Sequence, residues 1–132
     1  MITAQTTATY EPVSSSIGAA RYAAAKWLEK QGVQEGVIDD VVLCLSEVVT
    51  NAVKAQGPTG RRVMVRLAMQ ADAVRFSVRD DNNAMPLRSS VAADDTCGRG
   101  LLILDAVASA WGVMPLQRGK FIWCEVSLKP VE

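Results

Sequence analysis

Leu45-Ser46-Glu47-Val48-Val49-Thr50-Asn51-Ala52-Val53-Lys54 sits inside a longer run, from Gly36 to Ala55, whose apolar residues recur at helical spacing. Val37, Val41, Leu45, Val48 and Ala52 stand three or four positions apart, which gives a helix one face to bury. A second stripe, Asp40, Cys44, Glu47, Asn51 and Lys54, keeps the same steps, and residues so spaced project from one side. It offers a carboxylate, an amide oxygen and a cation within reach of one another. Ordinarily such a stripe is the solvated side of a helix. Here the residues between are almost all small or apolar, which sets Glu47 and Asn51 at the margin of a buried surface. A partly desolvated carboxylate beside a hard oxygen donor suits a general base working next to Mg²⁺.

Working outward, residues 1–16 are rich in Thr, Ser and Ala and hold a short strand near Thr6 to Tyr10, ended by Pro12. Ser14, Ser15 and Ser16 offer N-cap hydroxyls for a helix running to about Gln31, where Gly32 ends it. Gly57-Pro58 stops the second helix, and the period then changes. Val63, Val65, Leu67 and Met69 alternate with Arg62, Met64 and Arg66, the pattern of a half-buried strand. A turn at Ala71-Asp72 leads into Val74, Phe76 and Val78, completing a hairpin. Residues 80–97 are polar and broken by Pro86, a length typical of functional loops. A third helix is expected from about Arg99 to Ala110. A closing hairpin follows, with Val113 on one arm, Gly119 in the turn and Phe121 to Leu128 on the other. The order (β)-α-α-β-β-loop-α-β-β predicts an α+β, two-layer sandwich with helices on one face of a mixed, mainly antiparallel sheet. One domain is expected over residues 1–132, with 1–14 an extension or edge strand.

Composition narrows the chemistry. The chain has 132 residues, 49% hydrophobic, with 14 basic and 14 acidic side chains and no histidine. A core is affordable at that size, and the even charge speaks against nucleic acid or an acidic membrane surface as partner. Without histidine there is no Cys/His zinc site and no His-based triad. No signal-like or membrane-spanning segment is visible, so a reducing cytoplasm is expected. Cys44 and Cys124 lie in apolar runs and read as core, whereas Cys97 precedes a glycine pair and reads as exposed. Trp27, Trp111 and Trp123 read as packing residues.

Two further motifs bear on ligands. Gly98-Arg99-Gly100-Leu101 separates the polar loop from an apolar helix. The glycines either shape that junction or let backbone N–H groups approach an anion. Asp80 ends the second hairpin strand, where a carboxylate either caps the loop or accepts a hydrogen bond from an exocyclic amine.

Taken together, these motifs resemble the GHKL ATPase superfamily, and within it the short anti-sigma-factor serine kinases and stand-alone actinobacterial histidine-kinase-like ATPase domains. Leu45 to Lys54 looks like the N-box. Val78-Arg79-Asp80 looks like the strand into the first glycine box. Gly98-Arg99-Gly100-Leu101-Leu102 followed by Ala110-Trp111-Gly112 looks like the second, and Gly119-Lys120-Phe121-Ile122-Trp123 like the closing hairpin. The resemblance implies the Bergerat fold and ATP with Mg²⁺. It implies Glu47 as the catalytic base, Asn51 as the Mg²⁺ ligand and Asp80 as the adenine contact. Gly98, Arg99, Gly100 and Leu101 would form the phosphate turn, with Lys54 an additional phosphate contact. It further implies a serine/threonine kinase that binds a sigma factor and phosphorylates an anti-anti-sigma (STAS-type) partner, often as a homodimer through the amino-terminal region.

The sequence departs from the family at three positions. Asp80-Asp81-Asn82 lacks the glycine common two residues after the Asp; Phe121 replaces a threonine that often helps bind adenine; and Ala55 replaces a frequent histidine. Two of these fall on the adenine end, so a non-catalytic binding regulator with weak or no ATP binding is the alternative expectation.

Overall fold

The computed structural model describes residues 2–57, 60–81 and 96–128, with side chains for all of these except 96–101. Along the chain come β1 (Ile2–Tyr10), α1 (Ser15–Lys30), α2 (Glu35–Gln56), β2 (Val63–Gln70), β3 (Ala73–Asp80), α3 (Thr96–Val107), β4 (Ala110–Pro115) and β5 (Lys120–Ser127). The strands form one sheet in the order β1-β2-β3-β5-β4. Each neighbouring pair is antiparallel.

The expected element order holds, and three details are corrected. First, β1 is longer than the stretch from Thr6, because its alternate residues pair along nearly all of β2. Second, α3 starts earlier and stops at Val107, so that Ala110 opens a strand instead of closing the helix. Third, the sheet is antiparallel throughout the described strands, not mixed. The α1–α2 hairpin reverses the chain twice and returns β2 antiparallel to β1. A single crossover helix leaves β3 and β4 parallel in direction, but β5 lies between them.

Local chemistry explains the helix ends. Gly32 adopts φ +79°, and its N–H bonds to Glu29 O while that of Val33 bonds to Leu28 O. This is a Schellman close that only a residue tolerant of positive φ completes cheaply. Ser14 stands at the α1 N-cap, yet its hydroxyl makes no capping bond. Ser16, Ala20, Ala24 and Leu28 form the buried ridge of α1, which packs on α2; a cleft of about 210 Å³ separates α1 from β1 and β2 beside Ala20, Ala24, Trp27, Val65 and Leu67.

The core lies between the helices and one face of the sheet. Val41, Leu45, Val48 and Val49 from α2 meet Val63, Val65 and Leu67 of β2, Val74, Phe76 and Val78 of β3, and Ile122, Cys124 and Val126 of β5. α2 packs on β2, β3 and β5, and α3 packs on α2. α2 is therefore the central helix, and whatever its polar margin carries is held by the core beneath it.

Candidate functional site

The polar stripe of α2 divides on folding. Asp40 and Lys54 are exposed, Glu47 and Asn51 are half-buried, and Cys44 is fully buried. With 3.6 residues per turn, Cys44 leans about 40° from Asp40 towards the apolar side and Asn51 about 20°, whereas Glu47 leans about 20° the other way. Helix phase thus accounts for Cys44 and Asn51, while the half-burial of Glu47 does not follow from it. Between Glu47 and Asn51, Thr50 donates its hydroxyl to Ser46 O at 2.6 Å, which satisfies that half-buried group within the helix.

Cys44 instead meets Cys124 of β5. Both thiols are free and buried. Their mutual hydrogen bond, together with burial, pushes the Cys124 thiol far above its ordinary range. The expectation that these cysteines are core is met; the side chain of Cys97 lies outside the described residues.

The far end of α2 is tied to the end of β3. Gln56 donates through Nε2 to Arg61 O at 2.8 Å and accepts at Oε1 from the Asp81 N–H at 3.2 Å. Arg61 Nε stands 3.2 Å from Asp81 Oδ2. Rising about 1.5 Å per residue, α2 covers roughly 14 Å from Glu47 to Gln56. Glu47, Asn51 and Lys54 share one side of α2, whereas Gln56, nine residues and half a turn from Glu47, lies on the other and carries the tie to the end of β3.

Asp80 has a partner that sequence reasoning missed. It is paired in register with Lys120, whose Nζ lies 3.1 Å from Oδ1 and 3.4 Å from Oδ2. Both residues are buried. The signal was present as Gly119-Lys120 opening the last strand, but only the strand register sets it opposite Asp80. Gly119 locks the same corner: it has φ +82°, and a Cβ there would fall 2.1 Å from Asp80 O. Phe121 projects from the other face of β5, since that strand alternates buried and half-buried residues from Lys120 onward. Position 121 is thus turned away from the Asp80 carboxylate, and Lys120 is the residue of the closing hairpin that meets it.

Gly98, Arg99, Gly100 and Leu101 fall within the first turns of α3, not in a turn before it. Glycine is tolerable there because the first N–H groups of a helix lack intrahelical partners in any case. Their side chains, and Asn82, lie outside the described residues. The Trp-Gly pair has clear structural work: Trp111 donates Nε1–H to Asp105 Oδ1 at 2.8 Å, joining α3 to β4, and Gly112 lies against the Trp123 ring, where a Cβ would stand 2.8 Å from Nε1. Trp27 and Trp111 pack against the core; Trp123 carries the Arg75 guanidinium 4.5 Å from its ring centre.

Among the described residues no group of three or more His, Cys, Asp or Glu is placed to hold a metal, and no helix is long and apolar enough to cross a membrane. The donors along α2 fit Mg²⁺ in kind, since a carboxylate and an amide oxygen are hard ligands suited to an ion that keeps several waters.

A helical layer over one face of an antiparallel sheet, with a carboxylate and an amide at its margin, makes a two-layer α+β sandwich. The profile described as "Histidine kinase-like ATPase domain" matches residues 11–115. The chain belongs to that family. Among solved structures it is similar to the RsbU and RsbW domains of Rv1364c from Mycobacterium tuberculosis, with TM-score 0.73 and 22% identity. That match covers 95% of this chain but 32% of the other, so this chain spans about a third of its length. A search of curated proteins finds no match.

Proposed function

We propose that this chain is an anti-sigma-factor-like protein kinase that binds ATP with Mg²⁺ along the α2–β3 edge and phosphorylates a serine or threonine of an anti-anti-sigma (STAS-type) partner. The observation carrying this reading is that the core-anchored helix α2 holds Glu47 and Asn51 half-buried on its polar margin. Family membership and the RsbW-containing structural neighbour support it.

In this reading Glu47 accepts the proton of the attacking hydroxyl, whose oxygen bonds to the γ-phosphorus as ADP leaves. Asn51 holds Mg²⁺ through its amide oxygen. The ion, when bound, offsets phosphate charge. Lys54 and the first turn of α3, at Gly98, Arg99, Gly100 and Leu101, meet the phosphates, because helix N-termini favour anions. Asp80 receives the adenine amine. Phosphoryl transfer depends mainly on positioning and charge, which suits a site with few reactive side chains. The site of action is the cytoplasm, and a sigma factor is the second partner.

The test is transfer from Mg-ATP to a purified STAS-type partner, with wild type and Glu47→Ala. Phosphorylation lost in the variant is expected; undiminished transfer would remove Glu47 from the mechanism. One observation favours a second reading, a non-catalytic regulator: the Asp80 carboxylate is engaged by Lys120. Calorimetry separates the two, because ATP binding tighter than about 1 mM, or roughly 4 kcal/mol, counts against the regulator with weak or no ATP binding.

A further inference from the structure

Among the described residues, the helices leave one face of the sheet uncovered. On β5 this face presents Phe121 and Trp123; on β4 it presents Met114, which is 46% exposed. Alternation along β2 and β3 places Arg66, Arg75, Ser77 and Arg79 on the same side. Ile2 closes the β1 end at 52% exposure. A cleft of about 150 Å³ lies between Ile2, Arg66, Arg75, Ser77 and Phe121. The face is also rigidly arranged: Arg75 stacks on Trp123 and bonds Glu125 Oε2 at 2.8 Å, while Trp123 lies against Gly112.

Apolar and aromatic centres ringed by arginine are the composition of a protein-binding hot spot. Charge then selects the partner. Arg66 and Arg79 are exposed, and the Glu125 carboxylate on this face is engaged by Arg75. A second copy laid on this face would bring arginines against arginines. Nucleic acid fits poorly too, because the ring on which a base would stack already carries a guanidinium and the chain has no basic excess.

We propose that the open sheet face is a docking surface for an acidic segment of a partner protein, whose apolar side chains pack on Phe121 and Met114 and whose carboxylates meet Arg66 and Arg79. It lies on the opposite side of the sheet from the α2 edge and does not depend on ATP binding.

The test is amide-resolved NMR on the full chain at physiological salt. The probes are a capped twelve-residue Asp/Leu peptide, its Lys/Leu counterpart and a twelve-nucleotide oligo-dT. The Asp/Leu peptide is expected to shift amides around Arg66, Arg79, Phe121 and Trp123, and an Arg66→Glu/Arg79→Glu variant with unchanged melting temperature should bind it at least tenfold more weakly. Shifts confined to the helical face, equal shifts with Lys/Leu, or equal binding by the variant would overturn the proposal. So would oligo-dT occupying the face, or concentration-dependent dimerisation through it.

Discussion

Lys120 and Asp80 face each other across β5 and β3 with 3.1 Å between Nζ and Oδ1, each side chain only 6% exposed. Little water reaches the pair. Breaking a buried ion pair by removing one member costs about 3–5 kcal/mol. Lys120→Met is therefore expected to lower the unfolding free energy from urea titration by that order, and Asp80→Asn/Lys120→Met to recover much of it. A single-variant loss below about 1 kcal/mol would mean that the carboxylate is rehydrated.

Gly119 constrains the same corner by shape. Its positive φ and the 2.1 Å approach of a Cβ to Asp80 O leave no room for a side chain. Gly119→Ala is expected to cost more than about 2 kcal/mol, combining left-handed strain with overpacking. Denaturant unfolding measures it; a neutral substitution would mean that the β4–β5 turn moves freely.

Gln56 bonds at both ends of its amide. Gln56→Ala loses both bonds, about 1–3 kcal/mol in all, and frees the α2 terminus from β3. If the nucleotide reading is right, ATP dissociation constants measured by calorimetry rise in this variant even where the fold persists. Unchanged affinity would separate the nucleotide site from the Asp81 corner.

Burial raises the Tyr10 phenol above its ordinary value of 10.0. The folded chain then keeps a proton that the unfolded chain releases, so the stability from this group is complete below pH 10.0 and declines as pH rises through the raised value. Urea midpoints of wild type and Tyr10→Phe, compared from about pH 9 to 11, should show a steeper alkaline decline in wild type. Parallel curves would contradict it.

Much of this fold can be read from periodicity. The face of Val37, Val41, Leu45 and Val48 sets α2, and alternation from Val63 to Val78 sets the β2–β3 hairpin, because each pattern records which side a residue buries. The length of β1 was less legible: Thr-rich edge strands bury little, so they leave only a weak pattern. The full partner set of Asp80 was not legible at all. Its pairing with Lys120 depends on which strands become neighbours and in what register, and local sequence encodes neither. Position 121 seemed to belong to the Asp80 corner for the same reason. Glu47 and Asn51 were legible as a pair, since one helix carries both.

Strand β5 lies between β3 and β4, although it is the last strand described in the chain. During synthesis, β1 to β3 and both long helices emerge while the inner edge of β3 still lacks its neighbour, leaving Phe76 and Val78 incompletely covered. The Asp80 corner cannot form until Lys120 has cleared the ribosome. A nascent chain halted before β5 would thus expose a raw strand edge with no Lys120 opposite Asp80, a form suited to recognition by chaperones and proteases.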